Sequence, residues 1–173
     1  MRFLIFSLMM TITSELEAQN MIDQSDWTYL ADTVMGGVST GSARVENLDN
    51  GKIIHLKGSV STANNGGFIQ VRTNVGKDAA KDLDGVRLLV KGNEDTYYIH
   101  LRVAGSFVPW HYYRQEFYVP KQWIEIKLPF SKFERSSRML RWALDPSQII
   151  TVGVVAYGKN YEAEILISEV EFY

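Results

Sequence analysis

The sequence of 173 residues contains no cysteine, which excludes a disulfide framework, a thiolate nucleophile and cysteine-ligated zinc or iron–sulfur sites. Histidine is also scarce: only His55, His100 and His111 are present, so a transition-metal site would be short of its usual ligand. Charge of neither sign dominates, because 18 basic against 20 acidic residues give a formal net charge of −2. Such a charge provides no general attraction to nucleic acid or anionic lipid. We therefore expect no metal, no cofactor and no nucleic-acid partner.

Long apolar runs are absent apart from one at the N-terminus, where Arg2 precedes a largely apolar stretch over residues 3–13. This stretch is shorter than the ~20 apolar residues that a membrane-spanning helix needs, so we expect no stable membrane insertion. One basic residue, an apolar run and a small residue at Ala18 predict a signal peptide over residues 1–18, with export to the periplasm or the extracellular space. Leu16 is larger than a cleavage site prefers, and a buried N-terminal helix is the alternative.

The remaining residues, 19–173, have the length of a single domain, and their dominant periodicity is two. In the segment 97–103, for example, apolar residues at odd positions alternate with polar residues at even positions, as in a half-buried antiparallel strand. About nine strands are predicted in this way, at 43–47, 52–60, 67–73, 85–91, 97–103, 112–119, 123–128, 151–157 and 162–173. The one helix start, Asp145 followed by Pro146, is short. The pattern indicates an all-β sandwich.

Catalytic motifs are present but lack the context that they need. Gly37-Val38-Ser39-Thr40-Gly41 fits the G-x-S-x-G pattern of a nucleophile elbow, yet no helix is predicted to follow it. Glu116 and Glu125 are candidates for a glycosidase carboxylate pair on neighbouring strands, but alternation places both toward solvent. His100 and His111 have no carboxylate at metal-ligand spacing. The sequence therefore predicts no catalytic residue, no metal site and no enzymatic activity.

Two glycine-rich turns, Met35-Gly36-Gly37 and Asn64-Asn65-Gly66-Gly67, are typical of tight connections or of a backbone that a ligand approaches closely. With their neighbours and a later W-x-x-x-x-L-P-F-S-x-F stretch, they resemble the NADH:ubiquinone oxidoreductase complex I intermediate-associated protein family over about residues 27–173. The residues of this signature are Asp32, Met35, Gly36, Gly37, Ser39, Asn64, Asn65, Gly66, Gly67, Phe68, Arg72, Trp123, Pro129 and Phe130.

The resemblance implies a galactose-binding-domain-like jelly-roll sandwich and a non-enzymatic role, since mitochondrial members are assembly factors for respiratory complex I. Two departures weaken the transfer of that role. The usual Gly-Asp-Gly turn is Gly92-Asn93-Glu94 here, and the expected Arg-Gly is Arg138-Met139. An exported protein also has no access to the matrix or cytoplasmic arm of complex I. We expect a protein-interaction or assembly-factor-like module that binds a protein partner, with a carbohydrate-binding module as the alternative.

A candidate binding face follows from the alternation of two neighbouring strands. Their outward positions and the loop between them gather aromatic and basic residues that suit either a protein hot spot or a sugar ring. These ligand-binding candidates are Tyr98, His100, Arg102, Trp110, His111, Tyr112 and Arg114. The alternative is that the 131–142 connection, with Phe133 and Trp142, covers this face.

Asp32 and Arg72 each lie beside one of the glycine-rich turns. An aspartate and an arginine in such positions predict a charge-assisted pair that fixes the two turns together. We therefore expect Arg72→Ala to destabilise the fold.

Overall fold

A computed structural model describes residues 19–49 and 51–173, and these residues form eleven strands, one short α-helix and four 3₁₀ turns. The predicted signal peptide, residues 1–18, lies outside the described residues. The helix α1 is Met21–Gln24. The strands are β1 Thr28–Ala31, β2 Thr40–Leu48, β3 Gly51–Val60, β4 Phe68–Asn74, β5 Gly85–Gly92, β6 Asp95–Val103, β7 Tyr113–Val119, β8 Ile124–Pro129, β9 Glu134–Arg135, β10 Ile149–Tyr157 and β11 Tyr161–Phe172.

The strands form two antiparallel sheets. The six-stranded sheet has the order β1-β4-β10-β6-β7-β9, and the five-stranded sheet has the order β2-β3-β11-β5-β8. Several neighbours in these orders are far apart in sequence, such as β4 beside β10 and β3 beside β11. The arrangement confirms the prediction of an all-β sandwich.

The core lies between the sheets and is built by the alternation that the sequence predicts. On β6, Tyr97, Ile99 and Leu101 are fully buried, whereas the residues between them face away from the core. The five-stranded sheet contributes Leu56 from β3 and Ile165 from β11, among others, to the same cluster. Burial of these side chains is the main favourable contribution to folding, roughly 1.5–3 kcal/mol for each large aliphatic residue.

Two strands were not predicted, because β1 has four residues and β9 only two, which is too short to display a periodicity. The helix start at Asp145 is confirmed as a single 3₁₀ turn, Pro146–Gln148. Its cap is the Asp145 carboxylate, which accepts a hydrogen bond of 3.1 Å from the Ser147 backbone N–H.

The weak catalytic motifs find no support in the fold. Ser39 is buried and leads into strand β2 rather than into a helix, so the nucleophile-elbow geometry is not formed. Glu116 and Glu125 do not lie on neighbouring strands, because β7 belongs to the six-stranded sheet and β8 to the five-stranded sheet. The sequence could not reveal this, since the strands follow each other directly along the chain.

Candidate functional site

The outer face of the six-stranded sheet carries a row of residues aligned across five strands. Gly153 on β10 is paired with Arg72 on β4 on one side and with His100 on β6 on the other. His100 is paired in turn with Arg114 on β7. Because residues paired in this way project from the same face of the sheet, their side chains are neighbours on the surface. Thr28 on β1 completes the row opposite Arg72.

Three residues of this row, Arg72, Gly153 and His100, lie in the floor of a groove of about 230 Å³. One wall is formed by the signature turns, which contribute Val34, Met35, Asn65 and Gly66, and the opposite wall by Pro109, Trp110 and Tyr112. The floor is formed by Leu30, Phe68, Gln70, Arg72, His100, Arg102, Thr151, Gly153 and Tyr157. Gly153 leaves the middle of the floor without a side chain. Part of the signature and part of the predicted aromatic face therefore line the same groove.

Aromatic side chains pack against one another along β6, β10 and the Tyr112 wall. The imidazole of His100 is stacked on the Tyr112 ring, with centroids 4.0 Å apart and planes inclined by 12°. The Tyr157 ring meets both Tyr98 and His100 edge-on at 5.7 Å. The Arg114 guanidinium lies 5.9 Å from the centre of the Tyr157 ring. Such packing fixes the rings in place, so the groove presents a preformed surface to a ligand.

Burial shifts the pKa values of three rings on this face toward their neutral forms. Burial and, to a lesser degree, the neighbouring Arg114 lower the pKa of His100 to about 3. Burial and the neighbouring Tyr157 hydroxyl raise the pKa of Tyr112 to about 12. Burial and the Glu116 carboxylate likewise raise the pKa of Tyr98. At neutral pH, the positive charge of this face therefore comes from arginine alone.

Trp110 is the prominent exposed side chain of the groove wall, with 60% of its surface accessible. The 131–142 connection does not cover it: Phe133 is buried in the core and Trp142 is 82% exposed. This connection instead forms hydrogen bonds with the backbone of the loop that carries Trp110. The Ser136 hydroxyl donates to the Trp110 carbonyl at 2.6 Å and accepts from the Tyr112 N–H at 3.0 Å. The loop is thus fixed at its backbone while the Trp110 indole stays available for contact.

Three of the seven candidates, Tyr98, His111 and Arg114, do not line the groove. His111 is buried and lines a separate cavity with Phe107, Tyr113 and Leu140. The reason is geometric, since a turn closed by a 3.1 Å hydrogen bond from the His111 N–H to the Val108 carbonyl directs Trp110 to the groove and His111 to the other cavity. Tyr98 and Arg114 are on the same face of the sheet as the groove, and both contact Tyr157.

Asp32 organises the wall formed by the signature turns. Its fully buried carboxylate accepts hydrogen bonds from the backbone N–H and the hydroxyl of Ser39, and from the backbone N–H groups of Gly67 and Phe68. Burial raises the pKa of Asp32, but these four hydrogen bonds outweigh it and hold the pKa below its usual value. The carboxylate thereby joins the 32–39 turn to the 62–68 turn.

The predicted pair between Asp32 and Arg72 is wrong. Backbone and hydroxyl donors occupy the Asp32 carboxylate, and Arg72 lies on the outer face of β4, in the floor of the groove. Sequence reasoning missed this arrangement because backbone N–H groups are present at nearly every residue and leave no signal in the sequence. The expectation that Arg72→Ala removes a structural ion pair is therefore withdrawn.

The glycines of the signature make room for this carboxylate. A Cβ at either Gly37 or Gly66 would overlap the Asp32 carboxyl group. Gly36 and Gly67 have positive φ angles of 89° and 128°, and Asn64 and Asn65 are also left-handed, with φ of 55° and 57°.

Other signature residues lie elsewhere. Pro129 ends β8, Phe130 packs on Phe133 and Phe172 in the core, and Trp123 lies near Lys91 on the five-stranded sheet.

Several groove residues escaped the sequence analysis. Gln70 comes from β4, and Thr151, Gly153 and Tyr157 come from β10. β10 lies between β4 and β6 in the sheet, and these pairings join segments that are far apart in the sequence. For Gln70 the sequence did hold a signal, because alternation within the predicted strand 67–73 places residues 68, 70 and 72 on one face. β10 gave none, because it is buried on both faces apart from its ends.

The described residues give no indication of a metal centre, since no three His, Asp or Glu side chains among them cluster at coordinating distance. No helix within residues 19–49 and 51–173 is long and apolar enough to cross a membrane.

Comparison with known proteins identifies related sequences and folds. The family model described as Complex I intermediate-associated protein 30 (CIA30) matches residues 15–166. No curated protein matches the chain. Among solved structures, the family 11 carbohydrate-binding module of the cellulosomal cellulase Lic26A-Cel5E of Clostridium thermocellum aligns with a TM-score of 0.69 at 14% identity, covering 90% of this chain and 93% of that chain.

Two further structures show the same fold. A family 11 module from Clostridium thermocellum in complex with a beta-1,3-1,4-mixed-linked tetrasaccharide gives a TM-score of 0.67 at 14% identity, covering 84% of this chain and 87% of that one. A family 30 module of the cellulosomal cellulase Cel9D-Cel44B, from the same organism, gives 0.56 at 12% identity, covering 79% and 90%. At such identities the likeness establishes the fold, and it confirms the expected jelly-roll sandwich of the galactose-binding type.

Proposed function

The chain belongs to the Complex I intermediate-associated protein 30 (CIA30) family, and we propose that it is a non-enzymatic module that binds carbohydrate in the groove of its six-stranded sheet. The observation that carries this proposal is the combination of aromatic rings with amide and guanidinium groups in one preformed groove. The C–H faces of a sugar ring pack on flat aromatic rings, and its hydroxyls need donors and acceptors at fixed positions.

Some groove residues are suited to pack against a sugar ring, and others to form hydrogen bonds with its hydroxyls. Trp110 presents an exposed indole, and Tyr112 and Tyr157 present rings held by their stacking partners. Gln70 and Asn65 provide amide groups on the floor and on the opposite wall. No described residue that lines the groove is an aspartate or glutamate, so a carboxylate pair for glycoside hydrolysis is not part of the proposal. The carbohydrate-binding modules of the same fold are a further, weaker support.

The test is affinity electrophoresis of the purified protein in gels that contain soluble polysaccharides, neutral and acidic. Trp110→Ala should lose at least ~2 kcal/mol of affinity for any polysaccharide that retards the wild type, as expected for an exposed anchor residue. Its thermal midpoint should stay within about 2 °C of the wild type. The matched control is Trp142→Ala, which removes an indole that is even more exposed and lies outside the groove lining. Equal losses in both variants, or no retardation by any polysaccharide, would contradict the proposal.

A second candidate function, binding of a protein partner, is favoured by a different surface. Phe107 and Met139 are 94% and 84% exposed and lie at the mouth of the cavity that His111 lines. Exposed aromatic and methionine side chains near arginine are typical of interface hot spots, and Arg141 lines the same cavity. This role is the one that the assembly factors of the family suggest. Affinity purification from the native host should then yield a partner that Phe107→Ala loses and Trp110→Ala retains.

We also propose that the protein is exported to the periplasm or beyond. The support is the sequence of residues 1–18, with one basic residue, a largely apolar run and a small residue at Ala18. A carbohydrate-binding role agrees with this location, since polysaccharides are abundant outside the cell.

A further inference from the structure

The arginines on the groove face of the six-stranded sheet differ from Arg87 and Lys57 of the opposite sheet, because they have no carboxylate partner among the described residues. On the five-stranded sheet, Arg87 pairs with Glu125, Glu169 and Glu171. On the same sheet, Lys57 pairs with Glu164 at 3.5 Å. Among residues 19–49 and 51–173, no carboxylate oxygen lies within 4 Å of a guanidinium nitrogen of Arg72, Arg102 or Arg114.

Arg102 is held in a fixed position while one of its buried donors has no partner. Its Nη2 donates to the carbonyls of Ser106 and Val108, at 3.0 and 3.4 Å, so the loop beyond β6 anchors the side chain. Its Nε is buried and has no hydrogen-bond partner in the described part of the chain. A buried donor without a partner costs free energy unless a ligand or water satisfies it.

Arg72 and Arg102 flank β10 from opposite sides. Arg72 is paired with Gly153, and Arg102 is paired with Thr151 two residues earlier on the same strand. Strand spacing of about 4.8 Å places the two backbones roughly 10 Å apart, with only a glycine and a small threonine between them. Burial and the nearby Arg72 both lower the pKa of Arg102, which reflects the uncompensated charge of this pair.

The geometry points to an anionic ligand group, and we propose that the groove selects acidic saccharides, whose carboxylate or sulfate is seated over Gly153 between Arg72 and Arg102. This inference rests on the proposed carbohydrate function and adds its substrate class. The planar guanidinium is suited to oxygen anions, because its N–H groups form paired, charge-assisted hydrogen bonds with them. The chain as a whole has a net charge of −2, so the excess of positive charge is local to this face.

Isothermal titration calorimetry of the full-length protein with matched oligosaccharides tests the inference. One arm compares oligogalacturonates with their carboxyl-reduced neutral counterparts, and a second compares sulfated carrageenan oligosaccharides with their desulfated forms. In the arm that contains the true anion, the acidic member should bind at least tenfold more tightly, and the difference should shrink as salt increases. Which arm responds identifies the anion as a carboxylate or a sulfate.

Variants assign the effect to the two arginines. Arg72→Gln and Arg102→Gln should reduce the acidic preference to about threefold or less, and Arg102→Lys should recover only part of it. The control Arg44→Gln removes the same charge from exposed β2 on the other sheet and should leave the preference intact. Circular dichroism confirms that each variant is folded.

Three outcomes of these experiments would contradict the acidic preference or the carbohydrate function. Equal binding of acidic and neutral members would overturn the acidic preference and leave the carbohydrate function standing. An acidic preference that Arg44→Gln reduces as much as Arg72→Gln would also overturn the inference, because it would reflect overall charge. Failure of every saccharide in both arms and in the polysaccharide gels would overturn the carbohydrate function itself.

Discussion

Replacement of Asp32 by asparagine tests whether the buried carboxylate joins the two turns that form one wall of the groove. Asparagine has nearly the same shape but carries an amide N–H₂ where the carboxylate has an acceptor oxygen. In one orientation that amide faces the N–H groups of Gly67 and Phe68, and in the other it faces the N–H of Ser39. Either way, at least one buried backbone donor loses its acceptor.

The expected cost follows from these contacts. Each orphaned buried donor costs roughly 1–3 kcal/mol, and the remaining hydrogen bonds lose the reinforcement of the negative charge. We therefore expect Asp32→Asn to lower the free energy of unfolding by about 3 kcal/mol. For a domain of this size, such a loss lowers the melting temperature by about 6–12 °C.

Urea denaturation followed by tryptophan fluorescence measures this change directly, because the chain contains four tryptophans. The control is Asp82→Asn, which makes the same substitution at an exposed residue whose positive φ of 62° asparagine tolerates. We expect the control to change the unfolding free energy by less than about 0.5 kcal/mol. An Asp32→Asn effect no larger than that of the control would refute the assignment of Asp32 as the link between the turns.

The pH dependence gives an independent check of the same carboxylate. The folded-state pKa of Asp32 is lowered, so its contribution to stability is complete above the unfolded-state value of about 3.9 and is lost as the pH falls through the folded-state pKa. The stability difference between the wild type and Asp32→Asn should therefore be constant from pH 5 to 8 and shrink in stronger acid. A difference that grows in acid would contradict the assignment.

Three further predictions concern the groove and the N-terminus. Gly153→Ala adds a methyl group to the open floor, 3.1 Å from the flexible Gln70 side chain. The variant should bind saccharide more weakly, while its melting temperature changes by less than about 2 °C. A variant that binds like the wild type would contradict the placement of the ligand. Because His100 has a pKa of about 3 and stays neutral, titration calorimetry should find constant affinity for a neutral saccharide between pH 5 and 8, and a transition near pH 6.5 would show that His100 titrates normally. N-terminal sequencing should find a mature protein that begins near Gln19 outside the cytoplasm, and an intact Met1 would overturn the export proposal.

Alternation along single strands was enough to predict the fold class and one side of the groove. The outward positions of β6 could be read from the sequence because strands alternate strictly. Trp110 and Tyr112 lie in the connection between β6 and β7, which brings them to the same face. The other side could not be read in this way. Gly153 lies in a strand buried on both faces, and its pairing with Arg72 and His100 depends on contacts between segments some 50 to 80 residues apart.

The signature turns illustrate a different limit of sequence reasoning. Asp32 was recognised as important, but its partner was assigned to the nearest chemically plausible cation. The actual partners are backbone and hydroxyl donors that converge only when Gly37 and Gly66 allow the two turns to approach. Arg72 does not contact Asp32; its side chain lies in the groove, where a ligand can reach it.

The central claim is that the groove of the six-stranded sheet is a saccharide site. The most direct test is an NMR titration of the ¹⁵N-labelled protein with the oligosaccharide that binds best in the calorimetric comparison. The account predicts that the largest shifts fall on the Gly153 amide and the Trp110 indole N–H, with the Trp142 indole unchanged. Shifts confined to Trp142 and Phe107, or none at saturating saccharide, would contradict it.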